Sequence, residues 1–186
     1  MPENLVGPTL ESERLLLRPW KDEDVEAWVA MGADPRVMEY FPSTYDREYA
    51  EAMAARLRAR LERDGYGWWV IEVKGVSAFA GVIALQDVPF EAPFTPAVEI
   101  GWRLSYEHWG RGYATEGAAR TLRFAFEVLG LNEVVAMTAA TNRRSARVME
   151  RLGMQRNPAD DFEHPRLPEG HRIRPHILYR LAAPGH

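Results

Sequence analysis

Between Val98 and Phe126 the chain sets an apolar segment, a glycine-rich turn and a helix-forming segment end to end. No other stretch constrains the fold as much. Val98-Glu99-Ile100-Gly101-Trp102-Arg103-Leu104 reads as a short strand. Glu99, Gly101 and Arg103 fall on one of its faces, and Ile100, Trp102 and Leu104 on the other. Trp109-Gly110-Arg111-Gly112-Tyr113-Ala114-Thr115-Glu116 follows. From Glu116 to Phe126, Ala118, Leu122, Ala125 and Phe126 recur at helical spacing. Strand, glycine turn and helix start aim free N–H groups and the positive helix end at one point, which suits a phosphate.

Two phosphate motifs fail on the residues. A nucleotide P-loop needs Lys followed by Ser or Thr after its second glycine, and Gly112 is followed by Tyr113 and Ala114. The dinucleotide fingerprint needs a third glycine where Thr115 stands. A second strand, Val134 to Thr138, leads to Asn142-Arg143-Arg144-Ser145 and on to Leu152-Gly153-Met154. The turn from Trp109 to Glu116, Asn142-x-x-Ser145 and Leu152-Gly153-Met154, in that order and spacing, resemble the GNAT superfamily of N-acetyltransferases. Within it the chain is similar to the branch containing the ribosomal-protein N-terminal (alanine/serine) acetyltransferases. Glu13-Arg14-Leu15-x-Leu17-Arg18-Pro19 resembles that branch's opening strand.

The resemblance implies the GNAT fold, with helices on both faces of a twisted sheet whose central strands splay apart to admit acetyl-CoA. It implies acetyl-CoA as cosubstrate, an amine acceptor (a protein N-terminus or a small amine) and direct transfer; a non-catalytic acyl-CoA-binding module that keeps the turn, or a polyamine or aminoglycoside acetyltransferase, are the alternative readings. By motif position Gly110, Arg111, Gly112, Tyr113, Ala114 and Thr115 carry over as the pyrophosphate loop. Trp109 stands where the family's loop has Gln or Arg, so one side-chain contact departs from the pattern while the backbone cradle is kept. Backbone N–H groups of Trp102, Arg103 and Leu104 resemble the family's contacts to the acetyl carbonyl. Asn142 matches the asparagine on the pantetheine arm, and Ser145 the proposed proton donor to the departing sulfur. Read as residues alone, Asn142 suits a helix N-cap and Ser145 an ordinary first-turn serine. Glu99 is the candidate base, because a carboxylate among apolar strand residues is paired, at a rim or functional; pairing with an arginine is the competing reading. Arg111 reads equally as a phosphate contact or an exposed charge. Arg143, Arg144, Arg147 and Arg151 read as a solvated basic face or as an attraction for phosphates.

The remaining chain reads as mixed α/β (α+β) with mostly antiparallel strands. Strands are expected at Arg14 to Arg18, Gly67 to Val73, Ala78 to Gln86 and Arg172 to Leu181, with Pro175 at an edge or irregular point of the last. Helices are expected from Trp20 to Met31, with Asp22 as N-cap, from about Asp46 to Asp64, and from Arg143 to Leu152. Tyr49, Met53, Leu57 and Leu61 read as the core stripe of the second. Pro89, Pro93 and Pro96 mark a long loop suited to shaping access to a cleft. At 186 residues one N-acetyltransferase domain, 1–186, is expected. A net charge of −4 argues against nucleic acid as partner. No cysteine is present, which excludes disulfides and thiolate chemistry. Met1-Pro2-Glu3-Asn4 has no basic n-region and no apolar stretch is long enough for a membrane, so a cytoplasmic protein is expected, with a homodimer possible. His164, His171 and His176 lack metal spacing and read as surface or substrate-edge residues, so no metal is expected.

Overall fold

The computed structural model describes residues 7–185; the start Met1–Asn4 lies outside them. In chain order the elements are β1 (Leu10–Glu11), β2 (Leu15–Arg18), α1 (Asp24–Ala33), α2 (Arg47–Asp64), β3 (Trp68–Val73), β4 (Ser77–Asp87) and β5 (Val98–Leu104). After these come α3 (Tyr113–Glu127), β6 (Glu133–Ala139), α4 (Arg143–Arg151), β7 (Gln155–Arg156), β8 (Phe162–Glu163) and β9 (Pro175–Ala182). The strands form one sheet in the order β1-β2-β3-β4-β5-β6-β9-β7, with β8 also on β9.

Adjacent tryptophans of β3 show how the sheet is covered. Successive strand residues point to opposite faces. Trp68 meets Trp28 of α1 edge-on at 6.5 Å, while Trp69 meets Phe124 of α3 at 5.8 Å. Helices α1 and α3 therefore cover opposite faces. The register carries the two faces across to β5. Trp68 is opposite Ala84, and Ala84 is opposite Gly101, so all three lie on the α1 face. Ile83, opposite Trp102, lies on the α3 face and would touch a Cβ on Gly117 at 3.2 Å.

Three element starts differ from the sequence reading by more than one residue. Helix α1 starts at Asp24, and Asp22 does not cap it, because Asp22 pairs with Arg58 of α2 at 2.5 Å. Helix α3 starts at Tyr113, and β9 starts at Pro175, whose missing N–H therefore falls at the strand's first residue. In α2 the buried stripe is Ala50, Ala54, Leu57 and Leu61, whereas Tyr49 is exposed against Tyr45 at 4.8 Å. A strict four-residue spacing drifts about 40° per step on a 3.6-residue helix, so the far end of such a stripe turns outward. The caps of α2 are as expected: Asp46 accepts from Tyr49 N–H, and Gly65 ends the helix at φ +72°.

The sheet changes character between β5 and β6. Antiparallel β4–β5 is matched over seven residue pairs, from Asp87–Val98 to Gly81–Leu104. Antiparallel β6–β9 is likewise matched from Glu133–Ala182 to Ala139–His176. Parallel β5–β6 is matched at Glu99–Val135 alone. The two strands start together and then diverge, leaving a wedge toward Leu104 and Ala139. At the far end of β5 the fit to β4 is tight. A Cβ on Gly81, which sits at φ +148°, would lie 2.2 Å from the Arg103 carbonyl oxygen, so only glycine lets the two backbones approach there.

Candidate active site

The wedge opens into a cavity of about 520 Å³, a size suited to a small-molecule ligand. Hydrogen bonds at both ends of β5 fix which amides face it. Ser105 N–H donates to Ala80 O at 3.0 Å, and Val88 N–H to Ala97 O at 2.9 Å. Odd-numbered residues of β5 therefore turn their backbone groups to β4, and even-numbered ones turn theirs to the wedge. This brings the N–H groups of Trp102 and Leu104 into the opening. The N–H of Arg103 belongs instead to the β4 ladder, so of the three expected carbonyl contacts the geometry presents two. Leu104 O is already occupied by Trp109 Nε1–H at 2.9 Å, which ties the turn to the strand end.

The turn is built for an external acceptor. Gly112 is the N-cap of α3 at φ +82°, and among the described residues no side chain caps the helix. The first-turn N–H groups of Tyr113, Ala114 and Thr115 have no acceptor one turn earlier in the helix. Gly110 sits at φ +72°, and a Cβ there would meet no described atom within 4 Å. Gly110, Gly112, Tyr113, Ala114 and Thr115 line the cavity. Arg111 is exposed and outside the cavity wall, and its carbonyl accepts from Arg14 Nη1 at 3.0 Å. Arg14 also holds Glu116 at 2.6 Å, while Ser12 Oγ and the Arg14 N–H donate to the same carboxylate, each at 2.8 Å. Those bonds and the Arg14 guanidinium hold the Glu116 carboxyl below its usual range against its partial burial. The chain's opening segment thus braces the phosphate turn, a contact spanning 102 residues with no local sequence signal.

On the other wall, Asn142 and Ser145 come together at the start of α4. Asn142 Oδ1 accepts from Ser145 N–H at 3.2 Å, so Asn142 is an N-cap. Its Nδ2 donates to Thr138 Oγ1 at 2.9 Å and to Ser145 Oγ at 3.1 Å. The serine oxygen is an acceptor in that bond, which leaves its O–H free to donate into the cavity that Ser145 lines. Thr138, which the sequence reading did not single out, fixes the Asn142 amide. All four arginines of α4 are exposed, and Arg144, Arg147 and Arg151 line the cavity. Arg144 pairs with Glu39 at 2.8 Å and lies 4.3 Å from the Trp109 ring centre.

Glu99 sits at the base of the wedge, half-buried on the α1 face. Trp68 Nε1–H donates to Gln86 Oε1 at 2.8 Å, which orients the amide so that Gln86 Nε2 donates to Glu99 Oε1 at 2.7 Å. Among the described residues no arginine pairs with Glu99; Arg60, whose charge acts on it, sits 3.6 Å from both Asp64 and Asp87. Burial pushes the Glu99 carboxyl up, partly offset by the Gln86 bond and by the more distant Arg60 and Arg166. The arginine-paired reading of Glu99 therefore has no counterpart here, and the Trp68–Gln86 relay was not read from the sequence.

The proline-rich loop between β4 and β5 is pinned beside the cavity. Phe90 lies 4.7 Å from His164, His164 lies 4.9 Å from His176, and Phe94 lies 5.0 Å from Phe162. His164 and His176 are half-buried rather than superficial, and His176 lines the cavity. Burial first, then His176 and Arg166, hold His164 down to about 4 from 6.5; burial also lowers His176. In the window between these two values the unfolded chain binds more protons than the folded one, so stability falls as pH drops from about 6.5 toward about 4. His164→Phe is expected to flatten that dependence, as read from thermal unfolding across the window; an unchanged slope would contradict the assignment. Among the described residues no group of three or more His, Asp or Glu is placed to hold a metal ion. No described helix is long and apolar enough to cross a membrane.

Comparison with known proteins agrees with this geometry. The family profile described as "Acetyltransferase (GNAT) domain" matches residues 14–155. A relative from Aspergillus fumigatus, named FsC-acetyl coenzyme A-N(2)-transacetylase, is 36% identical over 156 residues. That match covers 79% of this chain and 65% of the relative, so the chain spans less than two thirds of that protein's length. A solved acetyltransferase from Agrobacterium tumefaciens is 31% identical, with TM-score 0.72 and 94% of each chain covered. Mycobacterium smegmatis RimJ, solved with CoA-disulfide, has TM-score 0.76 at 22% identity, covering 95% of this chain and 88% of its own; it shares the fold.

Proposed function

The chain belongs to the GNAT acetyltransferases, acetyl-CoA-dependent N-acetyltransferases, and from that premise we propose that it is one domain moving an acetyl group from acetyl-CoA directly to a primary amine. The observation that carries this reading is the wedge between β5 and β6, with the free N–H groups of β5 and the uncapped helix turn on one wall and Asn142 with Ser145 on the other. The residues fit acetyl-CoA. The turn from Gly110 to Thr115 supplies backbone donors for the pyrophosphate, and Asn142 lies beside the path from the turn to the wedge. When bound, acetyl-CoA supplies the acetyl group as a thioester activated toward amines.

The chain's own groups cover the other needs of the transfer. The N–H groups of Trp102 and Leu104 are preorganised toward the wedge, where they can stabilise negative charge on the carbonyl oxygen as the C–N bond forms. The Ser145 O–H can protonate the sulfur as the C–S bond breaks. The Glu99 carboxylate can take the amine's proton, directly or through water. Its raised pKa suits the task, because a stronger base is a better proton acceptor. The two faces divide the work: α3 and α4 stand on the cofactor side, and the α1 face with Glu99 serves the acceptor. The name of the Aspergillus relative, an acetyl coenzyme A-N(2)-transacetylase, supports a nitrogen atom as the acceptor.

Release of free CoA thiol from acetyl-CoA on addition of an amine panel tests the activity; no release with any amine would refute it. Glu99 must be deprotonated to act, so kcat/KM is expected to rise with pH through its raised ionisation. Glu99→Gln should bind acetyl-CoA as before and lose that ionisation from the profile. A preserved profile with lowered melting temperature would return Glu99 to a structural role.

A further inference from the structure

On the α1 face, Glu99, Gly101 and Arg103 stand in a row opposite Gln86, Ala84 and Val82. Gly101 and Ala84 are small neighbours in the middle of this row. A Cβ on Gly101 would meet no described atom within 4 Å, and its φ is not in the left-handed region, so the backbone does not require glycine there. What the glycine keeps is open space. Glu99 stands at one end of the opening and is the one acidic residue among those lining the cavity. Trp68 and Phe41 also line it.

Arg103 stands at the other end. It is only 6% exposed, and it also lines the cavity. Its guanidinium lies 3.9 Å from the Phe41 ring centre, 5.2 Å from Trp28 and 5.4 Å from Tyr45. Nη2 donates to the Tyr45 hydroxyl at 3.3 Å. Among the described residues, the buried Nε and Nη1 have no hydrogen-bond partner and no carboxylate pairs with Arg103. Such a group calls for an anion, because a buried guanidinium is costly unless its donors are satisfied.

We propose that Arg103 is the recognition site for a carboxylate on the acceptor, so that the acceptor is a small amine of the amino-acid class, its amine toward Glu99 and its carboxylate on Arg103. The inference rests on the acetyltransferase reading and names the acceptor for it. Phe41, which stacks on the guanidinium, is the cover that shifts when the carboxylate enters; it lies between α1 and α2, outside any helix or strand. Planar carboxylates match the geometry of guanidinium donors, and aromatic walls suit an apolar body. With one acidic side chain on this side and a buried cation facing it, the same site disfavours polycations such as polyamines. Burial, which lowers the proton affinity of Arg103, is a penalty that a bound carboxylate relieves.

The test compares acceptors that differ only in the carboxylate, L-phenylalanine and phenethylamine, with spermidine as the polycation. CoA thiol release is measured for the intact protein and for Arg103→Met. The intact protein is expected to prefer phenylalanine over phenethylamine by about 10- to 100-fold in kcat/KM, the scale of a hydrogen-bonded charge. Arg103→Met should bring that ratio close to one through the acceptor KM, with calorimetric affinity for CoA unchanged. Preference of the intact protein for phenethylamine or spermidine, or the same ratio in both proteins, would overturn the proposal while leaving acetyl transfer standing. Turnover of none of the three while other amines react also overturns it. Turnover of no amine at all refutes the underlying activity as well. The ratio in the intact protein decides the matter even if Arg103→Met does not fold.

Discussion

Ser145→Ala is expected to lower kcat by about 10²-fold or more, the scale of losing a general acid. The KM for acetyl-CoA should change little, because the turn at Gly112 is untouched. The geometry makes this sharper than the presence of a serine near the wedge. Asn142 Nδ2–H donates to Ser145 Oγ, so the serine proton is turned away from its neighbour and toward the cavity. The amide is itself held by Thr138 Oγ1 and by capping α4 through Ser145 N–H. Removing the hydroxyl takes away the donor and leaves the cap, which needs only the backbone N–H of residue 145. A melting temperature near that of the intact protein should accompany the loss of rate. A variant with full kcat would reduce Ser145 to an ordinary first-turn residue.

Arg18→Leu is expected to cost about 3–5 kcal/mol, because it strips the partner from a buried carboxylate. Arg18 meets Asp24 through Nη1 and Nη2, both at 2.8 Å, and Glu72 through Nε at 2.6 Å. The Ala78 and Pro19 carbonyls take further hydrogens at 2.7 Å and 3.0 Å. One side chain thus joins β2 to the start of α1 and to strands β3 and β4. Asp24 stays buried after the substitution, keeping only donors such as Lys21 N–H at 2.7 Å. For a chain of this size the loss corresponds to a drop in melting temperature of roughly 6–20 °C. Replacing both partners, Arg18→Met with Asp24→Leu, should recover part of it, since the uncompensated charge is then gone. A single-variant loss under about 1 kcal/mol, the scale of an exposed pair, would show that the network does not hold these elements together.

These two sites also mark where sequence reasoning reached and where it stopped. The strand, the glycine turn and the helix after it were readable, because alternation, glycine spacing and helical periodicity are local. The grouping of Asn142 with Ser145 was readable for the same reason. Partner choice among charges was not. Asp22 has the right residue type and place for an N-cap, yet it goes to Arg58, while Asp24, two residues on, is claimed by Arg18. Glu99 stands out in the sequence as a carboxylate among apolar strand residues, but its neighbour is an amide rather than an arginine. The face shared by Glu99, Gly101 and Arg103 follows from alternation alone. The aromatic enclosure around Arg103 does not, since Trp28, Phe41 and Tyr45 reach it from a distant part of the chain. The inward turn of the Trp102 and Leu104 amides needed the β4 register, which no residue of β5 announces.

An open sheet ordinarily has two borders, one at each side. The divergence after Glu99–Val135 gives this nine-stranded sheet two more, facing each other inside the molecule. Exposed strand borders usually invite another chain to add itself. Here the pair of inner borders meets at one end and widens toward the other, so a wide or folded segment has no room to dock along both. A thin, extended, amide-bearing strip can bridge them where the separation approaches two strand spacings, about 9–10 Å. The same break in pairing that would be a hazard on the outside of a protein is thereby expected to act inside it as a gauge, admitting ligands by width and by their capacity to continue a backbone ladder.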